Sequence, residues 1–186
     1  MAAPHAVAAA APGAPPAKPL PVNALPVDAA RFRRVFRRHP AGVVVITVDS
    51  EAGPAGFTAT SLTSVSAQPP SVSFGISARS STWPHVRDAG SVVVNFLGAH
   101  QEGLARRFAT SGLDRFAAPT RWRRLAGGEP VLDGVTGWLR AEVRSLIPVG
   151  DHHLVLAQVV ETDLREGSAP LLYHDGRYHS IQDYRT

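Results

Sequence analysis

The chain has 186 residues, about one domain by the usual length prior, with 19 Lys+Arg against 15 Asp+Glu, a formal charge of +4 and no cysteine. The absent thiol excludes a disulfide framework, a thiolate zinc site, an iron–sulfur cluster and a Cys nucleophile. No apolar run approaches the ~20 residues of a membrane helix, so an integral membrane protein is not expected.

Residues 1–27 hold seven Pro and ten Ala, and Lys18 is their only charged side chain. A segment so poor in large apolar groups cannot offset its ordering entropy, so a flexible, partly polyproline-like tail is predicted. It has no basic n-region, and prolines interrupt its apolar stretches, so it does not read as a secretory signal and a cytoplasmic protein is expected. Residues 28–186 then make one domain, long enough for a single core.

Asp28 is a candidate N-cap for a helix over 28–39, which Pro40 ends. Ala29, Phe32, Val35 and Phe36 share one face of it. The β-branched run from Gly42 to Asp49 predicts a central strand, and Ser50 to Pro54 a turn. Gly56 to Ser66, rich in Thr and Ser, predicts a strand leading into a loop. Pro69-Pro70 breaks it, and Ser71 to Ser77 follows as another strand. Trp83-Pro84, after Ser80-Ser81-Thr82, opens a short helix that ends near Gly90. Ser91 to Leu97 reads as a strand. Residues 100–109 read as an amphipathic helix with Leu104, Ala105 and Phe108 as its stripe, and 110–134 as loop.

From Val135 to Ile147 apolar and polar side chains alternate, the period of a half-buried strand. His152 to Leu164 returns as a long strand. Leu171–His174 and Arg177–Ser180 make a hairpin over Asp175-Gly176. Many strands, three modest helices and no βαβ alternation argue against a doubly wound sheet. The predicted fold is mainly β: a closed or split antiparallel barrel with flanking helices.

The Arg residues fall in scattered pairs, and no recognition helix, zinc-finger spacing or RNA-binding signature accompanies them, so no nucleic-acid partner is expected. Chemistry concentrates elsewhere. One run of hydroxyls spans Thr58, Thr60, Ser61, Thr63, Ser64 and Ser66, and a second spans Ser77, Ser80, Ser81 and Thr82 around Arg79. Singly, such residues are ordinary in strands and turns. Clustered at two strand ends, beside one Arg and a helix start, they suit a phosphate monoester. There is no Walker lysine motif, so the phosphate would belong to a bound cofactor and not to a hydrolysed nucleoside triphosphate.

Gly150-Asp151-His152-His153 heads the long strand. Adjacent histidines on a strand point to opposite faces and do not easily share a metal, so no metal site is expected. One imidazole facing a cleft is a useful donor, and the other reads as plain surface. No Gly-x-Ser-x-Gly elbow is present, which argues against a hydrolase of that type.

The stretch GVVVITVDSEAGPAGFTATSLTSVSAQPPSVSFGISARSSTWPHV resembles the short-chain flavin reductases, the reductase component of two-component flavin monooxygenases. SVVVNFLGAHQEGLARRFA is similar to that family's strand and helix, GDHHLVLAQVVE to its Gly-Asp-His strand, and PLLYHDGRYHSI to its closing hairpin. The resemblance covers about residues 28–182.

It implies an FMN-binding split barrel, usually a homodimer with flavin near the subunit interface. It implies hydride transfer from NADH or NADPH to FMN or FAD, and release of reduced flavin to a separate oxygenase. Position by position, it sets Thr58, Ala59, Thr60 and Ser61 against the isoalloxazine and ribityl chain. Ser77, Arg79, Ser80, Ser81 and Thr82 would hold the phosphate, and Asn95 and Gln101 would add flavin contacts. His153 and Tyr178 would lie beside the nicotinamide. Gly150-Asp151-His152 is the literal match to the family's motif, so His152 and His153 both stand as catalytic candidates. Arg79 stands where many relatives carry Lys, which keeps the charge and changes its geometry. Two other readings share the barrel: a flavin-binding protein without reductase activity, and an enzyme like pyridoxamine-phosphate oxidase.

Overall fold

The computed structural model describes residues 27–165 and 168–181. The expected tail, but for Val27, lies outside them. The first helix, α1 (Ala29–Phe36), starts where expected: the Asp28 carboxylate accepts from the backbone N–H of Ala30 and Arg31. It stops at Phe36, short of the expected 39, and none of its residues is buried.

The strands follow as β1 (Ala41–Gly42), β2 (Val44–Val48), β3 (Ala55–Ala59), β4 (Thr63–Ala67) and β5 (Pro70–Ser77). After the short helix α2 (Trp83–Asp88) come β6 (Ser91–Phe96), α3 (Glu102–Ala109), β7 (Trp122–Arg124) and β8 (Pro130–Leu132). The long strands β9 (Gly137–Val149) and β10 (His152–Leu164) precede the hairpin β11 (Leu171–His174) and β12 (Arg177–Ser180).

Seven strands form one antiparallel sheet in the order β3-β2-β6-β9-β10-β5-β4. All five residues of β2 are buried, because this strand is covered on both faces. Period 2 sorts its side chains. Val44, Ile46 and Val48 join Phe74, Ile76, Val94, Ala141 and Val155 inside the curl of the sheet. Val45 faces outward onto Phe108, Leu132, Trp138 and Leu171, under α3 and the β7–β8 hairpin. Glu129, 3% exposed, fixes that hairpin by pairing with Arg140 at 2.7 Å and accepting from Ser91.

The two outer strands of the order, β3 and β4, are consecutive in the chain. Three residues, Thr60 to Leu62, join them, a span of at most about 14 Å. A sheet whose edges must meet over so short a link has to curl. No ladder joins β3 to β4 among the described residues, so the barrel is split and not closed. This crossing is why the segment 56–66, expected as a strand leading into a loop, holds the end of one strand and most of the next. Residues 110–134, expected as loop, contain the β7–β8 hairpin, whose three-residue strands are too short to show a period. The β11–β12 turn matches its signal: Asp175 and Gly176 both have positive φ, 46° and 82°, as a tight primed turn requires.

Candidate functional site

Three segments remote in sequence meet at one end of β5. Ser61 lies against Gly75: its hydroxyl accepts from Gly75 N at 2.9 Å and donates to Gly75 O at 3.3 Å. Ser77, two residues further on, closes β5 opposite His152, and His153 faces Ile76 across the β5–β10 ladder. The chain leaves β5 held to that same corner, because Ala78 N donates to Asp151 O at 3.0 Å. Ser61, the hydroxyl loop after β5 and the Gly-Asp-His segment therefore share one edge.

The loop after β5 is wound on its own hydroxyls. Ser77 Oγ accepts from Arg79 N, and Ser80 Oγ accepts from Thr82 N, each at 3.2 Å. A hydroxyl that accepts from backbone keeps its own proton to donate. Ser81 and Arg79 are exposed, and Arg79 has no ion-pair partner among the described residues. Ser77, Ser80, Ser81 and Arg79 thus present donors and no carboxylate of their own, the set a phosphate dianion needs.

Thr82 faces inward. It is 1% exposed, donates to Gly56 O at 3.2 Å and accepts from Arg115 Nη1 at 3.0 Å. Arg115 also donates to Gly56 O at 2.8 Å and to Thr110 O at 3.0 and 3.1 Å. Burial pushes this guanidinium below its ordinary value, and its contacts are carbonyl and hydroxyl oxygens. Sequence reading passed over Arg115, since nothing around it sets it apart from seventeen other arginines.

The next turn carries a second residue that reading missed. The Trp83 indole stacks on His153, ring centroids 3.7 Å apart and planes 12° apart. His153 Nδ1 is buried with no hydrogen-bond partner. His152 points the other way, as strand alternation requires, and its Nδ1 lies 2.8 Å from Asp151 Oδ1. The Asp151 carboxyl is held below the usual carboxylate range, first by that hydrogen bond, then by the charge of His152, with Arg79 adding a smaller pull.

Most of the other expected residues are bonded or packed within the scaffold. Thr58 donates to Ala105 O at 2.7 Å and ties β3 to α3. Ala59 packs inside the sheet. Asn95 is fully buried, with its amide nitrogen donating to Val45 O and Thr47 Oγ1 and its oxygen accepting from Leu132 N. Gln101 bridges Gly98 N and Asp133 O. Tyr178 packs beside the outer cluster with Arg106 4.9 Å above its ring, and burial pushes its hydroxyl pKa up. Thr60 and Ser61 are exposed and face a groove of about 740 Å³ between their turn, α1 and the β11–β12 hairpin.

The sequence pattern described as a flavin reductase like domain matches residues 36–182. The chain belongs to this family. As a flavin reductase-like protein it is 50% identical over 157 residues to an NADH:FMN oxidoreductase of Rhodococcus qingshengii, with 82% of each chain covered. It is 33% identical to the reductase component of a 4-nitrophenol monooxygenase from Rhodococcus opacus, over 90% of each. Among solved structures, the NADH:FAD oxidoreductase of Streptomyces globisporus, in complex with NAD and FAD fragments, superposes with a TM-score of 0.80 at 30% identity, covering 86% of this chain and 96% of the other. In this flavin reductase-like chain the loop donors fit a flavin phosphate, and the orphaned His153 nitrogen is a polar atom for a second ligand to meet. Among the described residues no helix is long and apolar enough to cross a membrane.

Proposed function

We infer that this chain is an NAD(P)H:flavin oxidoreductase that reduces a flavin for use by a separate oxygenase. Identity to the NADH:FMN oxidoreductase favours NADH as donor and FMN as acceptor. The observation that carries the reading is the convergence of Ser61, the Ser77–Thr82 loop and His152–His153 at one end of β5. A flavin bound there would supply the redox chemistry, as acceptor of a hydride from the reduced nicotinamide.

The protein binds and orients. Arg79 with Ser77, Ser80 and Ser81 holds the phosphate by charge-assisted hydrogen bonds. Thr60 and Ser61 border the ribityl chain and ring. The Trp83–His153 stack is a flat wall for the nicotinamide, and His153 Nδ1 is a polar contact for its carboxamide. No acid or base is needed to move a hydride between two held rings, so positioning supplies the catalysis. The exposed loop suits a flavin that must leave after each turnover.

Two copies complete the unit in this reading. Val149 on β9 and Leu154 and Val160 on β10 are exposed apolar residues on adjoining strands, and exposed Val65 lies beyond β5 on β4, the kind of surface a homodimer covers. The catalytic unit is the domain beginning at Asp28. The test is NADH and NADPH consumption with FMN, FAD or riboflavin added. Turnover with FMN is expected. Flavin binding with no nucleotide oxidised under any pairing would leave a flavin-binding protein without reductase activity.

A further inference from the structure

The groove between α1 and the β11–β12 hairpin is one-sided in its chemistry. Arg33 and Arg37 reach it from α1 and His174 from β11, against one carboxylate, Asp175. Neither guanidinium has an ion-pair partner among the described residues. The backbone leaves room for Arg37, whose Nη2 lies 3.3 Å from where a Cβ on Gly176 would stand. Asp175 N donates to Arg37 O at 2.9 Å and ties the hairpin tip to the end of the helix segment. Beside the cations stand Phe32 and Phe36, rings 4.6 Å apart and both more than half exposed, with Tyr173 also lining the groove.

Cations flanked by exposed aromatic faces suit an aromatic base that carries phosphates. The groove's 740 Å³ lies within the ~300–1,000 Å³ of small-molecule sites. One of its walls is the turn Thr60–Thr63, which borders the flavin in the function proposed above. The hydroxyl edge therefore has cations at two places: Arg79 on the loop after β5, and Arg33 with Arg37 across the groove. A flavin whose phosphate sits at Arg79 extends any adenosine from that side. The groove is left for the other reactant, whose nicotinamide must reach the same flavin ring.

We propose that this groove binds the adenosine diphosphate half of NADH, with Arg33 and Arg37 on its phosphates and Phe32 and Phe36 against its adenine. The proposal rests on the flavin reductase reading, and its test separates the two. The full chain and its Arg33→Gln/Arg37→Gln variant are assayed at saturating FMN with NADH and with reduced nicotinamide riboside, which lacks both phosphates and the adenosine. The ratio of the two kcat/KM values should fall about tenfold or more in the variant, as two lost charged contacts imply. ADP-ribose titrated calorimetrically into the wild type should bind and compete with NADH, and it should bind at least about tenfold more weakly to the variant. A Phe36→Leu variant, which keeps an apolar residue on α1, should weaken ADP-ribose in the same direction.

An unchanged ratio with unchanged ADP-ribose binding overturns the proposal. So does weakening of FAD alone relative to FMN, which would give the groove to the flavin. Dissociation of a dimer by the variant, with no ADP-ribose bound by the wild type, would assign the groove to a subunit contact and overturn it as well. If the flavin reductase reading itself is wrong, the wild type oxidises no NADH with any flavin, a result visible before any variant is made.

Discussion

Thr82 and Phe32 stand beside the same hydroxyl edge, and the chain treats them in opposite ways. Thr82 is 1% exposed and bonded to β3 and to Arg115, while Phe32 is 54% exposed on a helix with no buried residue. The loop that offers phosphate donors is therefore pinned to the core, and the helix that walls the groove is tied to the hairpin at its C-terminal end. A pinned loop fixes donor geometry before a ligand arrives. An exposed helix contributes contact area while adding little to global stability. The contrast suits a reaction in which the flavin, though it leaves after each turnover, must be placed accurately each time it binds, while the nucleotide meets a more yielding surface.

The largest expected effect attacks the pinned side. Arg115→Ala removes the guanidinium donors to Gly56 O, Thr110 O and the buried Thr82 hydroxyl and should cost about 3 kcal/mol by denaturant unfolding. FMN affinity should fall with it. A variant as stable as wild type, binding FMN normally, would erase the contrast between the two regions.

Next comes Arg79→Ala, which should weaken FMN by about tenfold, the order of one charge-assisted contact. Turnover at saturating FMN should stay within a factor of about two, because hydride transfer makes no use of the guanidinium. Fluorescence titration of FMN checks the first part, and an unaltered affinity would remove Arg79 from the phosphate.

Replacing His152 and His153 together by Ala should lower turnover with NADH by several-fold. The stack on Trp83 is the larger loss, since such ring pairs contribute about 0.5–1.5 kcal/mol beyond burial. FMN affinity should hold, and wild-type steady-state kinetics would take both residues out of the site.

The smallest effect belongs to the exposed helix. Asp28→Ala removes two cap hydrogen bonds and should destabilise α1 by about 1 kcal/mol. Global unfolding should shift by less than about 0.5 kcal/mol, the range of surface changes. Hydrogen exchange should rise in α1 alone. A global shift as large as that of Arg115→Ala would show that α1 is part of the core after all.

Strands and turns were legible wherever period or turn chemistry is local. The β-branched run of β2, the alternation along β9 and Asp175-Gly176 all read correctly. So did the helix start at Asp28. The short β7–β8 hairpin did not, because three residues carry no period.

The candidate site stands in the sequence as two clusters of hydroxyls and one histidine segment. Their meeting on β5 depends on the partners of a strand, and no local pattern encodes those. Asn95 shows the reverse limit. The family resemblance implies a flavin contact there, and the structure shows its amide bonded to Val45 and Thr47 on β2 and to Leu132 on β8. Arg115 and the Trp83–His153 stack were hidden for the same reason, since their partners lie far along the chain.

The place of β9 and β10 in the sheet has a kinetic consequence. They are two 13-residue strands joined by Gly150-Asp151, and they stand at the middle of the seven-strand order. Their pairing closes the shortest loop for the most ladder, so a nucleus built there meets the smallest entropic barrier. The sheet then grows outward on both sides, and the meeting of β3 with β4 across Thr60–Leu62 sets last. Substitutions at Val155 should slow refolding, with φ-values well above those at Thr60 and Ser61, which should speed unfolding and leave refolding unchanged. The edge that carries the chemistry would then be the final part of the barrel to form and the first to open.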